Sequence, residues 1–296
     1  MVCRIARPPS RPEPASGEPV QSAAMELIDI GCNLGHDSFD NDRDHVIAAA
    51  QAAGVIQLVV TGASESGSLK ALELARERPG TLFATAGVHP HLARDYAEET
   101  DTVLAELHRA AQVVAVGECG LDYFRDFSPR EVQRTVFERQ LELAVACGKP
   151  LFLHQRDAHD DFAAILRGFR DRLGPVVVHC FTDTREALYT YLDLDCHIGI
   201  TGWVCDERRG RELKALVPEI PDGRLMLESD APYLKPRNLK PKVRTHRNEP
   251  QWLTWTAGSV AALRGVGLEA LAALTTANAR TFFGLPVPEP VRPAGH

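Results

Sequence analysis

PLFLHQRD at residues 150–157 and PVVVHCF at 175–181 each run a short, wholly apolar stretch straight into a histidine, and their reading decides the fold. A stretch that is apolar on both faces suits a strand of a parallel sheet covered by helices, whereas a half-exposed antiparallel strand would alternate. Working outward from these two, the same unit recurs. VAVGECGLD (114–122) carries Glu118 and Asp122, GVHPH (87–91) carries His89 and His91, and LMLESDAPY (225–233) carries Glu228 and Asp230. Strands are expected at 26–33, 56–62, 82–89, 113–118, 150–154, 175–179, 196–201 and 224–230, eight in number. Amphipathic stretches such as 46–53, 131–147 and 160–172 separate them, and two more helices are expected at 252–263 and 268–283. Eight βα units predict an α/β fold, a slightly distorted single-domain (β/α)8 TIM barrel. An open doubly wound sheet is the alternative, and no GxGxxG follows the first strand to support it.

The barrel is expected to span 25–286. Residues 1–24 contain Pro8, Pro9, Pro12, Pro14 and Pro19 and hardly any large apolar side chain, so they are expected to be a disordered extension, with 287–296 a disordered tail. Arg4, Arg7 and Arg11 lie early, but without the apolar core of a targeting peptide. A share of 44% apolar residues is enough for a large core. The apolar runs fall far short of the roughly 20 residues a membrane helix needs, so no membrane partner is expected. Seven cysteines without CxxC spacing are read as reduced, which points to a cytoplasmic location. The net charge of -7 argues against a general polyanion-binding surface. KPRNLKPKVRTHR (235–247) is the exception, with six Lys or Arg and no acid directly after Asp230.

A barrel of this kind does its chemistry at the C-terminal ends of its strands. One histidine there would be an ordinary core residue or cap. His89, His154 and His179 in equivalent places beside Glu118 and Asp230 are instead a mixed nitrogen and oxygen ligand set, suited to Zn²⁺, Mn²⁺ or, with more water, Mg²⁺.

The succession GVHPH, GECGLD, LHQRDA, HCF, GITGWVCDERRG (199–210), SDAPYL and RNEP (247–250) resembles the TatD family of metal-dependent deoxyribonucleases, a branch of the amidohydrolase-like barrels, from Leu27 to Leu285. The resemblance implies hydrolysis of phosphodiester bonds by a 3′–5′ exonuclease acting on the 3′ ends of single-stranded DNA and of RNA. It implies Glu118, His154 and His179 as metal ligands, Asp230 as the carboxylate that ligates the ion or activates water, and His89 facing the scissile phosphate. Relatives of the wider family begin with a strand ending D-x-H-x-H, whose histidines hold one ion of a pair. Here Gly31 and Asn33 stand in those places. One firm divalent site is therefore expected, with Mg²⁺ in use and Zn²⁺ or Mn²⁺ as alternatives.

On this reading the metal lowers the pKa of water, Asp230 accepts its proton, and either His89 or His91 acts as general acid toward the leaving oxygen. His91, Arg156 and Arg247 are the expected substrate contacts. Asp122, Asp157 and His159 are expected in supporting or helix-capping roles. Tyr123, Phe124, Phe181, Trp203 and Tyr233 lie just beyond strand ends, where an aromatic ring either packs or stacks a base. The protein is expected to act as a monomer. Two other readings remain open: a small-molecule amidohydrolase, lactonase or esterase on the same barrel, and a nucleic-acid-binding barrel with impaired catalysis.

Overall fold

The computed structural model describes residues 25–288. The extension expected at 1–24 and all but the first two residues of the tail expected at 287–296 lie outside the described residues. Strands β1 (Leu27–Cys32), β2 (Val55–Val60), β3 (Leu82–Ala86), β4 (Val113–Asp122), β5 (Leu151–Arg156), β6 (Val176–Val178), β7 (Cys196–Ile200) and β8 (Leu225–Leu227) pair in chain order, every neighbour parallel. Between them lie α1 (Arg43–Ala52), α2 (Glu65–Glu77), α3 (Glu98–Leu107), α4 (Arg130–Cys147), α5 (His159–Phe169), α6 (Arg185–Asp193) and α7 (Arg211–Leu216), and α8 (Leu253–Arg264) and α9 (Leu268–Phe283) follow β8. The first and last strands are joined just past the end of β8, where Asp230 N donates to Gly31 O at 2.8 Å and Asn33 N donates to Ala231 O at 2.7 Å. These bonds complete the barrel expected from the sequence.

Side chains two residues apart on a strand share a face. Phe152, Val177 and Met226 therefore lie one step below His154, His179 and Glu228. They belong to a buried group with Ile28, Ile30 and Val59 that ends on Phe282 and Phe283 of α9. A second, larger apolar group fills the space between strands and helices. The polar rim thus rests on a dry plug, and the Phe152 ring lies 4.6 Å from that of His179.

Two strand ends differ from expectation. β3 stops at Ala86 because side chains take the next backbone groups, Ser68 Oγ accepting from Gly87 N and Gln140 Oε1 from Val88 N, before Pro90 opens a 3-10 turn over Pro90–Asp95 with His89 as its cap. β4 instead runs four residues past Glu118 to Asp122, with an irregularity between Val116 and Cys119. Glycine permits it. Gly117 (φ +135) and Gly120 (φ +143) press against β5 so closely that a Cβ would stand 2.1 Å from Phe152 O and 1.9 Å from His154 O. The bulge turns Glu118 inward, and the resumed strand carries Asp122 beside Arg156.

No single helix among the described residues is long and apolar enough to cross a membrane.

Because Phe152 is fully buried directly beneath the rim, Phe152→Ala is expected to lower unfolding free energy by about 3–5 kcal/mol. Urea unfolding with an unchanged m-value would measure the loss; a change below about 1 kcal/mol would mean that the plug is not closely packed.

Candidate active site

Four strand ends converge on one carboxylate oxygen. Oε1 of Glu118 lies 2.7 Å from His179 Nε2, 3.0 Å from His154 Nδ1 and 3.3 Å from His89 Nε2, and His154 Nδ1 is 3.4 Å from His179 Nε2. Bonds of about 2.0–2.2 Å at tetrahedral angles set ligand atoms roughly 3.3 Å apart. Glu118, His154 and His179 sit at or inside that spacing as hydrogen-bonded partners, so a divalent cation replacing their shared protons would need them to part only slightly. His89, Glu118 and His154 also present ligand atoms that all lie within 4.8 Å of one another. His89, expected to face the phosphate, is thus equally within ligand reach.

Burial alone would raise the Glu118 carboxyl, but the facing His179 and His89 rings and two imidazole hydrogen bonds hold it well below its ordinary value. The opposite balance acts on the rings. Burial disfavours charge on His154 and His179, yet the carboxylates around them raise both. His89 differs, since burial prevails there and pulls it down to about 4. A ring neutral at neutral pH suits ligation or proton acceptance better than proton donation.

Two buried carboxylates fix the rings from behind. Asp122 Oδ2 lies 2.7 Å from His91 Nε2 and 3.3 Å from His154 Nε2, while its Oδ1 accepts from Arg125 N at 2.8 Å. It caps no helix, closing instead the turn to Arg125, and it braces two histidines. Glu228 went without a role in the sequence. Its Oε1 accepts from Cys180 N at 2.5 Å, and its Oε2 stands 3.3 Å from His179 Nδ1, so the ring's Nε2 is left facing Glu118. The signal was the second carboxylate in LMLESDAPY, two positions before Asp230. Of the other supporting candidates, His159 bonds the Tyr191 hydroxyl at 2.9 Å, and the residue capping α5 is Ala158, not Asp157.

The space for Glu228 is made by glycine. A Cβ on Gly31 would stand 2.6 Å from Glu228 Oε2 and 2.7 Å from Phe152 Cζ, and one on Gly199 would stand 2.5 Å from Glu228 Oε1. The place held by a histidine in D-x-H-x-H is therefore filled by the Glu228 carboxylate and the Phe152 ring. Asn33 donates to Asp230 Oδ1 at 3.0 Å. Burial pushes Asp230 up to about 7, partly opposed by His179. Asp29 is raised to about 7 as well: its Oδ1 accepts from Gly31 N and Ser229 N, but its buried Oδ2 has no hydrogen-bond partner among the described residues.

The three expected substrate contacts fare differently. His91 joins the cluster through Asp122. Arg156 lies over the Phe124 ring at 3.9 Å and makes no ion pair among the described residues. Arg247 is held at 2.6 Å by Asp42 and at 2.9 Å by Glu249, and it also donates to Ser38 O. It pins the basic segment to the start of α1. The other end of that segment is fixed by Arg237 on Asp206, beside a cavity of about 220 Å³ lined by Trp203 and Lys235.

The family model for TatD-related DNases matches residues 28–284. The 3′-5′ ssDNA/RNA exonuclease TatD of Erwinia billingiae (strain Eb661) is 50% identical over 260 residues, spanning 88% of this chain and all of its own length. That of Klebsiella pneumoniae (strain 342) is 47% identical over 261 residues, 88% of this chain and 99% of its own. A TatD homologue from Escherichia coli k12 superposes with a TM-score of 0.81 at 28% identity, covering 89% of this chain and 100% of that one. A TatD family hydrolase from Entamoeba histolytica gives 0.80 at 26%, covering 88% and 99%.

Glu228→Gln keeps the shape but removes the charge that orients His179. It is expected to weaken Mn²⁺ binding at least about tenfold by titration calorimetry, and unchanged affinity would show that Glu228 does not orient the ring. Asp29 gives a pH signature. The folded protein holds that proton up to about 7, whereas the unfolded chain releases it near the ordinary 3.8. Its contribution to stability is fully present below about 4, declines as pH rises toward 7 and is level above. Asp29→Asn should flatten that part of the pH profile of urea midpoints.

Proposed function

The chain belongs to the family of TatD-related DNases, and from that premise we propose that it hydrolyses phosphodiester bonds of single-stranded DNA and RNA as a metal-dependent 3′–5′ exonuclease. The observation that carries this reading is the meeting of Glu118, His154 and His179, with His89 beside them, at ligand spacing on one end of the barrel. These residues would hold the ion. When bound, a divalent cation there polarises a phosphoryl oxygen and lowers the pKa of water. We assign Mg²⁺ with water completing its shell; Zn²⁺ and Mn²⁺ suit the imidazoles and would bind more tightly.

The chain's own groups do the rest. Asp230, raised to about 7 and steadied by Asn33, accepts the proton of the attacking water. His91, backed by Asp122 at 2.7 Å, gives a proton to the leaving 3′ oxygen. Arg156 meets the negative charge of the phosphate strand without having to break an ion pair first. Residues 25–286 serve as one catalytic domain, and since one chain builds the whole rim, the monomer suffices. The six cysteines among the described residues are all free, in keeping with a reducing cytoplasm.

An end-labelled single strand incubated with Mg²⁺, Mn²⁺ or Zn²⁺ should lose mononucleotides from its 3′ end, and chelation should stop the reaction. Release only from the 5′ end would overturn the polarity, and no release with any of the three ions would overturn the function. For the base, kcat is expected to rise with pH as Asp230 sheds its proton, with a midpoint at or below the value of about 7 that burial sets, because a bound cation would lower it. Asp230→Asn should lower kcat by roughly 10²–10⁴ and abolish that rise. A variant that retained the rise would assign the limb to another group.

A further inference from the structure

Phe124 and Phe127 are each 52% exposed, an unusual position for two phenylalanines in one short loop. Slack does not account for it. Buried Gln133 takes Asp122 N at 2.8 Å and donates to Ser128 O at 2.8 Å, and Ser128 Oγ donates to His91 O at 3.0 Å. Asp122 closes the other side through Arg125 N. The loop is tied at both ends by buried side chains while its two rings face out, which is the arrangement of a preorganised contact surface.

The rings also adjoin the active site. Phe127 meets the His91 ring edge-on at 4.9 Å, and His91 lies 4.2 Å from His89. Arg156 covers one face of Phe124 at 3.9 Å and Arg125 stands 5.6 Å from the same ring. Neither guanidinium has an acidic partner among the described residues. Exposed aromatic faces flanked by free cations match the two halves of a nucleotide, a flat base and an anionic phosphate. Of the other rim aromatics, Phe181 is buried and Tyr123 is bonded to Asp161 and covered by Arg130, while Tyr233, as exposed as the two phenylalanines, stands edge-on to His36 with no cation over its ring among the described residues.

Resting on the nuclease reading, we infer that Phe124 and Phe127, with Arg125 and Arg156, form a stacking ledge for an unpaired nucleobase within two nucleotides of the scissile bond. A base inside a duplex has both faces covered by its neighbours, and a terminal one offers a single face while its complement holds it in the stack. The ledge therefore selects single strands by stacking and does not read base identity.

The test compares Phe124→Ala, Phe127→Ala and the Phe→Trp variants on a fluorescent oligothymidylate and on the same strand with both 3′-proximal bases removed. Binding is followed by anisotropy in chelator and turnover in Mn²⁺. Both alanine variants are expected to raise Kd and KM on the intact strand about tenfold, to have no effect on the abasic strand, and to be rescued by tryptophan. Equal losses on the two strands, or no loss on the intact one, would overturn the ledge. A protein that binds the intact strand through the ledge yet cleaves nothing would instead refute the nuclease reading, so the two failures are distinct.

Discussion

A carboxylate carried to the inside of a barrel keeps its charge only where cations or donors face it, and Oε1 of Glu118 has three imidazoles within 3.3 Å. His154 lies on β5, and His89 and His179 just past β3 and β6, so this one oxygen ties those three strands to β4 at the rim. The bulge at Gly117 and Gly120 exists to deliver it. Behind the rings stand Asp122 and Glu228, so every imidazole of the metal triangle sees a carboxylate on both sides. Such an arrangement balances its carboxylates with ring protons, and an entering cation would have to displace those protons to bind.

Much of this was legible beforehand, for identifiable reasons. Runs such as Val176–Val178 can be little other than buried parallel strands, and α9 was expected over 268–283, the span it occupies. What periodicity could not give was where strands end. The stop of β3 is set by Ser68 and Gln140 on neighbouring helices, and the extension of β4 by two glycines whose neighbours lie on another strand. The same holds for roles. Glu228 reads as a rim acid until His179 Nδ1 and Cys180 N are seen to hold it, and Arg247 reads as a phosphate contact until Asp42, remote in the chain, is found across from it. Residue identity told which groups were chemically able; only packing told which were already engaged.

The division of labour among the arginines follows from that engagement. An arginine locked between two carboxylates holds a loop in place and has little field left to offer an incoming anion, whereas one resting on an aromatic ring keeps its charge available. A chain with a net charge of -7 can thus present a local path for a polyanion without a basic surface overall.

The glycine at position 31 constrains what substitution can do there. Its missing side chain leaves no empty place, because Phe152 and Glu228 occupy the volume and support the plug and His179. A descendant acquiring histidine there by mutation would meet a ring and a carboxylate before it met a metal, and would lose fold before gaining a ligand. A ligand at position 31 would therefore require Phe152 and Glu228 to change with it.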